Sequence, residues 1–385
     1  MVDWQVPLAD LDFGAEEKEA VQDVLDRGWL AMGAGVQAFE QEFAGLVGSR
    51  HAVAVANGTV SLHLACLALG LGPGDEVIVP SLTFVATAAA ILYVGATPVF
   101  ADIHSEDDLT ISPDSIEEAV TDRTRAIMVM HYGGYACDMP AINDLAAKYG
   151  LAVIEDAAHA PGAVLDGRGL GVWGAVGSFS FFPNKNMTTA EGGMVVTDDD
   201  ELAERMRRLR SHGMTTLTWD RHRGHAHSYD VVDLGYNYRL DEVRAAIGRA
   251  QLKKLPENNR RRLDLTASYR EMLAELAPEI TVPFAQHRGT PSCHLLPALL
   301  PEGSDRTAFM EQMKAEKIQT SIHYPPIHQF TYYRDNDAVK KVNLDRTAAV
   351  AAREVTLPLY ASMDTSQVEQ VAQAVQRSLQ TVRSL

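Results

Sequence analysis

The chain has 385 residues, too many for one ordinary compact domain, and its 46% hydrophobic and 22% charged residues describe a globular rather than a disordered polypeptide. A formal net charge of −17 with no basic run sets nucleic acid and anionic membrane surfaces aside as partners. Cys66, Cys137 and Cys293 form no CxxC pair or disulfide framework, so a reducing cytoplasm is the expected compartment, and the opening Met1-Val2-Asp3-Trp4 has neither the basic start nor the apolar run of a signal peptide.

The first clear helical pattern covers 36–47, where Val36, Phe39, Phe43 and Val47 fall on one face. A β-branched run at His51–Val55 follows, and Asn57-Gly58-Thr59-Val60-Ser61 leads from it into a helical run over 62–69. A strand–Gly–helix turn aims backbone N–H groups and the positive helix end at one spot, which suits a phosphate; it is equally an ordinary capped turn. Residues 77–101 carry no charge over a length that could span a bilayer, but Pro80, Gly95 and Pro98 interrupt them. The segment therefore reads as strand (76–79), buried helix and strand (Thr97–Ala101) in a soluble core.

Further strands are expected at 126–130 and 152–155, the second running into Glu155-Asp156-Ala157-Ala158-His159. A carboxylate at the C-terminal end of a buried strand lies where α/β sheets bind ligands, and its burial calls for a cationic or hydrogen-bonding partner. A pyridinium nitrogen would serve, and the pairing would keep that ring able to accept electrons; a plain helix N-cap is the alternative for Asp156. Glu155 is expected to face structure rather than chemistry. A strand at 175–181 then delivers Phe182-Pro183-Asn184-Lys185 into a Gly-bounded loop ending in Glu191-Gly192-Gly193, with Ser180 close by. A free lysine, with a pKa of about 10.4, is a poor nucleophile at neutral pH, whereas a desolvated one is a competent Schiff-base partner. A strand at 194–197 completes a βαβ rhythm of continuously apolar strands, so an α/β domain with a mostly parallel sheet is expected.

Close spacing of His222, His225 and His227 could hold zinc, but no Cys lies nearby and Asp220, Arg221 and Arg223 favour a polar loop, so no metal is expected. Gly235-Tyr236-Asn237-Tyr238-Arg239 forms a Gly/aromatic loop before Asp241, which can cap a helix with Val243, Ile247, Ala250 and Leu255 on one stripe; the polar stretch 258–262 follows. A large domain over 1–252 and a smaller α+β domain over 253–385 are expected. The last helix starts near Asp364 and aligns Val368, Val371, Val375 and Leu379.

In this order, Asn57-Gly58-Thr59, Glu155-Asp156-Ala157-Ala158-His159-Ala160, Ser178-Phe179-Ser180-Phe181 with Lys185 and Glu191-Gly192-Gly193, and Gly235-Tyr236-Asn237-Tyr238-Arg239 resemble the DegT/DnrJ/EryC1/StrS sugar aminotransferases. The likeness runs from Phe39-Glu40 through Thr83-Phe84 to His323-Tyr324-Pro325 and Leu357-Pro358. It implies a fold-type-I, aspartate-aminotransferase-like homodimer with pyridoxal 5'-phosphate between the subunits. By the same resemblance Lys185 carries the cofactor as a Schiff base, Asp156 pairs with its ring nitrogen, and Gly58, Thr59 and Ser180 bind its phosphate. Asn237 of the partner subunit would reach that phosphate, Phe84 would cover one ring face, and Ala158 would lie against the other. His159 stands beside the phenolic oxygen, where members usually carry Gln, and Ala190 replaces a frequent Gly. Arg239, His323 and Tyr324 fall in regions that contact substrate in relatives.

The implied reaction is a ping-pong transamination from glutamate or glutamine to a keto-sugar, nucleotide-linked, or to a keto-cyclitol. Two other readings compete. Sugar dehydratases of the family carry a histidine where this chain has Lys185, and a non-catalytic regulator on the same fold would not need Lys185 and Asp156 together.

Overall fold

Short apolar runs pair into a seven-stranded sheet in the computed structural model, which describes residues 3–216, 228–336, 339 and 344–383. Its strands are β1 (His51–Val55), β2 (Glu76–Pro80), β3 (Thr97–Ala101), β4 (Thr124–Met130), β5 (Ala152–Asp156), β8 (Val176–Ser180) and β9 (Gly193–Thr197), while β6 (Val164–Leu165) and β7 (Arg168–Gly169) form a separate hairpin. The order is β1-β9-β8-β5-β4-β2-β3, with β9 antiparallel to both neighbours and every other pairing parallel. The expected strands coincide with β1 and β3 and differ from the others by no more than two residues at either end.

The helices are α1 (Ala15–Arg27), α2 (Ala34–Val47), α3 (Gly58–Ala68), α4 (Val85–Tyr93), α5 (Pro113–Ala119), α6 (Met139–Tyr149), α7 (Asp200–Arg210), α8 (Glu242–Leu276), α9 (Arg306–Ala315), α10 (Thr331–Arg334), α11 (Asp345–Arg353) and α12 (Thr365–Arg383). Strand alternation sends side chains into two apolar layers. Val53, Val55, Val77, Val79 and Met128 pack on one face with Leu64 of α3, and Ala52, Ala54, Ile78, Ile127 and Val129 pack on the other with Phe39 and Phe43 of α2. The uncharged stretch 77–101 is β2, α4 and β3, and no helix among the described residues is long and apolar enough to cross a membrane.

A third core joins β10 (Leu296–Leu299) and β11 (Glu354–Leu357), an antiparallel pair, to α9 and α12. Val368, Val371, Val375 and Leu379 of α12 are all buried in it, as their spacing requires. Helix α8 serves both parts: it packs on α1 and α2 near its start and sends Leu265, Tyr269 and Leu273 into the C-terminal core. Residue 252 lies inside this helix. The helix also continues through 258–262, where a polar stretch was expected to follow it, because Asn258 and Arg262 are buried with partners. Asn258 Nδ2 donates to Asp12 Oδ2 at 3.1 Å, and Arg262 Nη1 donates to the Leu359 carbonyl at 3.0 Å.

The end of β5 shows how the sheet presents its polar groups. Glu155 and Asp156 point to opposite faces, and Glu155 is fully buried. Its carboxylate accepts from the N–H groups of Gly171 (2.7 Å), Trp173 (2.6 Å) and Gly174 (2.7 Å) and bonds His131 Nε2 at 2.9 Å. It therefore ties the segment before β8 to β5. Replacing it would strand several buried donors, so Glu155→Ala should lose about 3 kcal/mol or more of stability in urea unfolding.

Candidate active site

The C-terminal ends of β1, β5 and β8 converge on a cleft of about 400 Å³. Asp156 is the last residue of β5, level with Met130 of β4 and Ser178 of β8. Its Oδ2 accepts from Thr87 Oγ1 at 2.7 Å and its Oδ1 from the Ala158 N–H at 3.1 Å. Burial pushes the Asp156 carboxyl above its ordinary value, against the pull of these two bonds and of the charge on Lys185. Lys185 follows β8 in a tight turn closed by its N–H on the Phe182 carbonyl at 2.9 Å. Burial pushes its amine down to about 8, with Asp156 opposing the shift.

Helix α3 begins at the same cleft. Asn57 caps it, its Oδ1 accepting from the Val60 N–H at 3.0 Å, which leaves the first-turn N–H groups of Gly58 and Thr59 without an intrahelical partner. A Cβ on Gly58 would come within 2.6 Å of Ser180 Cβ, so the glycine lets the helix start approach Ser180. Gly193 is fixed in the same way, since a Cβ there would meet the Asn57 carbonyl at 2.6 Å. Ala190 sits at φ 66°, in the left-handed region that favours glycine.

His159 and Tyr324 form the wall opposite. His159 is buried, its Nδ1 accepts from the Gly133 N–H at 3.3 Å, and its Nε2 lies 3.0 Å from Tyr324 Oη. Nδ1 is thus engaged as an acceptor, and the proton of the neutral ring belongs on Nε2. Burial holds this imidazole well below its ordinary value, helped by the neighbouring charge of Lys185. The rings of Phe84 and Tyr324 are 6.0 Å apart across the cleft.

The fold therefore brings Gly58, Thr59, Phe84, Asp156, Ala158, His159, Ser180, Lys185, His323 and Tyr324 to one cleft. Asn237 and Arg239 do not line it. Asn237 is exposed and pairs with Ser211, and Arg239 is half-buried and pairs with Val55. Sequence reasoning missed Thr87, Met130, Asn184 and Glu191. Thr87 left a faint signal as a hydroxyl in the apolar α4, four residues after Thr83, whose own hydroxyl it meets at 2.8 Å. His222, His225 and His227 lie outside the described residues. Among the described residues no group of three or more His, Cys, Asp and Glu side chains could hold a metal ion.

These groups fit pyridoxal 5'-phosphate. A buried carboxyl raised by desolvation gains from a cationic ring nitrogen, an amine brought down to about 8 can attack an aldehyde, and a helix start opened by Gly58 suits a phosphate. The sheet, with its single antiparallel insertion and this cleft at its edge, has the frame of a fold-type-I pyridoxal-phosphate transferase of the aspartate aminotransferase kind.

Residues 12–376 match the DegT/DnrJ/EryC1/StrS aminotransferase family, and the chain belongs to that family. It is 41% identical over 367 residues, 94% of either chain, to the spore coat polysaccharide biosynthesis protein SpsC of Bacillus subtilis (strain 168). It is similar to S. venezuelae DesV, solved in complex with a ketimine intermediate, at 38% identity and a TM-score of 0.88 over 97% of this chain and 98% of that one. It is also similar to DesI, solved in the presence of its TDP-sugar product, at 34% identity and a TM-score of 0.88 over 100% of this chain and 96% of that one. The enzyme is accordingly a pyridoxal-phosphate-dependent sugar aminotransferase.

Thr87 is fully buried and supports Asp156 through its hydroxyl. Thr87→Val, close in shape, should weaken cofactor retention about tenfold or more, the worth of one hydrogen bond to a charged group. Titration of apoenzyme with pyridoxal phosphate, followed by fluorescence, measures it.

Proposed function

We propose that the enzyme moves an amino group from glutamate or glutamine to the keto group of a nucleotide-linked sugar, with Lys185 and Asp156 carrying the chemistry. The observation that carries this reading is the pair itself: an amine lowered to about 8 and a buried carboxyl lining the same cleft. Bound pyridoxal phosphate supplies an electrophilic carbonyl carbon and a ring that takes up electrons. Asp156 would hold the ring nitrogen protonated, and Gly58, Thr59 and Ser180 would take the phosphate at the start of α3. Phe84 and Ala158 would enclose the ring, and His159 Nε2, shared with Tyr324, would face the phenolic oxygen. Lys185 Nζ, released by the incoming donor, would carry the proton away from the donor's α-carbon.

DesI, with its TDP-sugar product, supports the nucleotide-linked acceptor over a keto-cyclitol. The reading includes a cytoplasmic homodimer in which Asn237 and Arg239 serve the partner's cleft. Two features support this: neither residue lines its own cleft, and Phe84, Tyr93, Phe182, Val231, Val232 and Leu234 are exposed apolar groups. It also divides the chain into a cofactor-binding part, 1–252, and a small part, 253–385, joined within α8.

Lys185→Ala should abolish the visible absorbance of the reconstituted protein. Only the neutral amine attacks, so capture of pyridoxal phosphate by the apoenzyme should rise with pH through about 8 and level off above it. The acceptor is tested by mixing the aminated enzyme with nucleotide-linked keto-sugars and keto-cyclitols. Return of the starting spectrum with the nucleotide-linked sugars is expected; return only with the cyclitols overturns the acceptor class.

A further inference from the structure

Strand β11 carries a second buried carboxyl that the chemistry above does not use. Alternation along Glu354-Val355-Thr356-Leu357 places Glu354 and Thr356 on one face of the strand, towards the segment containing His323. Glu354 is fully buried. Its Oε2 accepts from the His323 backbone N–H at 2.9 Å, and its Oε1 accepts from Thr356 Oγ1 at 2.6 Å. Thr356 Oγ1 in turn lies 2.8 Å from His323 Nδ1. The His323 carbonyl is held as well, by the hydroxyl of Tyr132.

A hydroxyl has one hydrogen to give. With the carboxyl ionised and that hydrogen committed to it, Thr356 can only accept from His323, so the imidazole proton sits on Nδ1. Nε2, on the opposite edge of a ring that lines the cleft, then carries a free lone pair and has no protein partner among the described residues. We propose that Glu354, acting through Thr356, is a positioning residue for the sugar half of the reaction. It holds the His323 ring in one orientation and, when ionised, keeps its proton on Nδ1, so that Nε2 accepts a hydrogen bond from a hydroxyl of the sugar. The substrate part of this inference rests on the sugar-acceptor reading of the cleft; the hydrogen-bond relay does not.

Burial pushes the Glu354 carboxyl up to about 8, opposed by Thr356, the His323 amide and Arg306. Tyr132 and Tyr324 are the other titratable groups that feel its charge, and burial raises both phenols out of the working range. His323 itself is held down to about 4, so its ring is neutral on either side of the Glu354 transition. Above pH 8 the carboxylate only accepts; below it the protonated carboxyl donates to Thr356 and sends the imidazole proton to Nε2. In Glu354→Gln the amide oxygen keeps the His323 N–H and the amide nitrogen donates to Thr356, which reverses the relay and moves the imidazole proton to Nε2.

Histidine-selective ¹⁵N NMR at pH about 9, assigned with His323→Gln, reads the tautomer without any substrate. The wild type should show the proton on Nδ1 and Glu354→Gln should show it on Nε2; the same tautomer in both overturns the relay. For the kinetic role, also read at pH about 9, Thr356→Val should lower kcat/KM of the sugar half-reaction about tenfold, leave the amino-donor half-reaction unchanged, and be rescued to within about twofold by Thr356→Ser. Equal loss in both half-reactions, or no loss in either, overturns the positioning role. Because the tautomer needs no sugar, it decides the relay even where every sugar tried fails to react.

Discussion

The mutual influence of Asp156 and Lys185 sets the terms for the rest of the molecule. Burial raises the carboxyl and lowers the amine, and each group's charge opposes the shift of the other. Too dry a cleft would neutralise both; too wet a one would leave the lysine a protonated, unreactive cation. An amine lowered by burial to about 8, beside a carboxyl with two hydrogen bonds, lies between those limits. It depends on where the sheet stops, since Asp156 ends one strand and Ser180, shortly before Lys185, ends its neighbour.

Several features well away from the reacting groups hold that edge in place. On the opposite face of β5, Glu155 collects three backbone amides and thereby positions the segment entering β8, the strand that delivers Lys185. Close backbone approach at Gly58 and Gly193 brings the α3 start, Ser180 and the end of the lysine loop against one another. A side chain at either glycine would push apart the helix start and the strand end that meet at the cleft.

The smaller part contributes its own wall. Tyr324 reaches His159, and His323 is gripped by Thr356, Glu354 and Tyr132, so the C-terminal segment meets the cleft with its polar groups already engaged. Engagement of this kind fixes rings in place before substrate arrives, which lowers the ordering cost of binding. The sheet ends bring Asp156 and Lys185 to the cleft, and the C-terminal segment brings His323 and Tyr324.

The sequence by itself determined the strands, the order of the motifs and the pair Asp156 and Lys185. Each of these is a local pattern: continuous apolar runs for strands covered on both faces, a carboxylate at a strand end, a lysine in a glycine-bounded loop. Tertiary structure decided the rest. Thr87 reads as one more residue of an apolar helix until the fold sets it against Asp156, 69 residues away. Polar residues over 258–262 suggest the end of a helix, yet α8 continues because Asn258 meets Asp12, 246 residues away, and Arg262 meets Leu359, 97 residues away. Glu354 left no sequence signal at all, and only the fold shows it fully buried against His323. The physical reason is common to all of them. Periodicity is carried by neighbours along the chain, whereas desolvation and hydrogen bonding are set by groups that only the completed fold brings together.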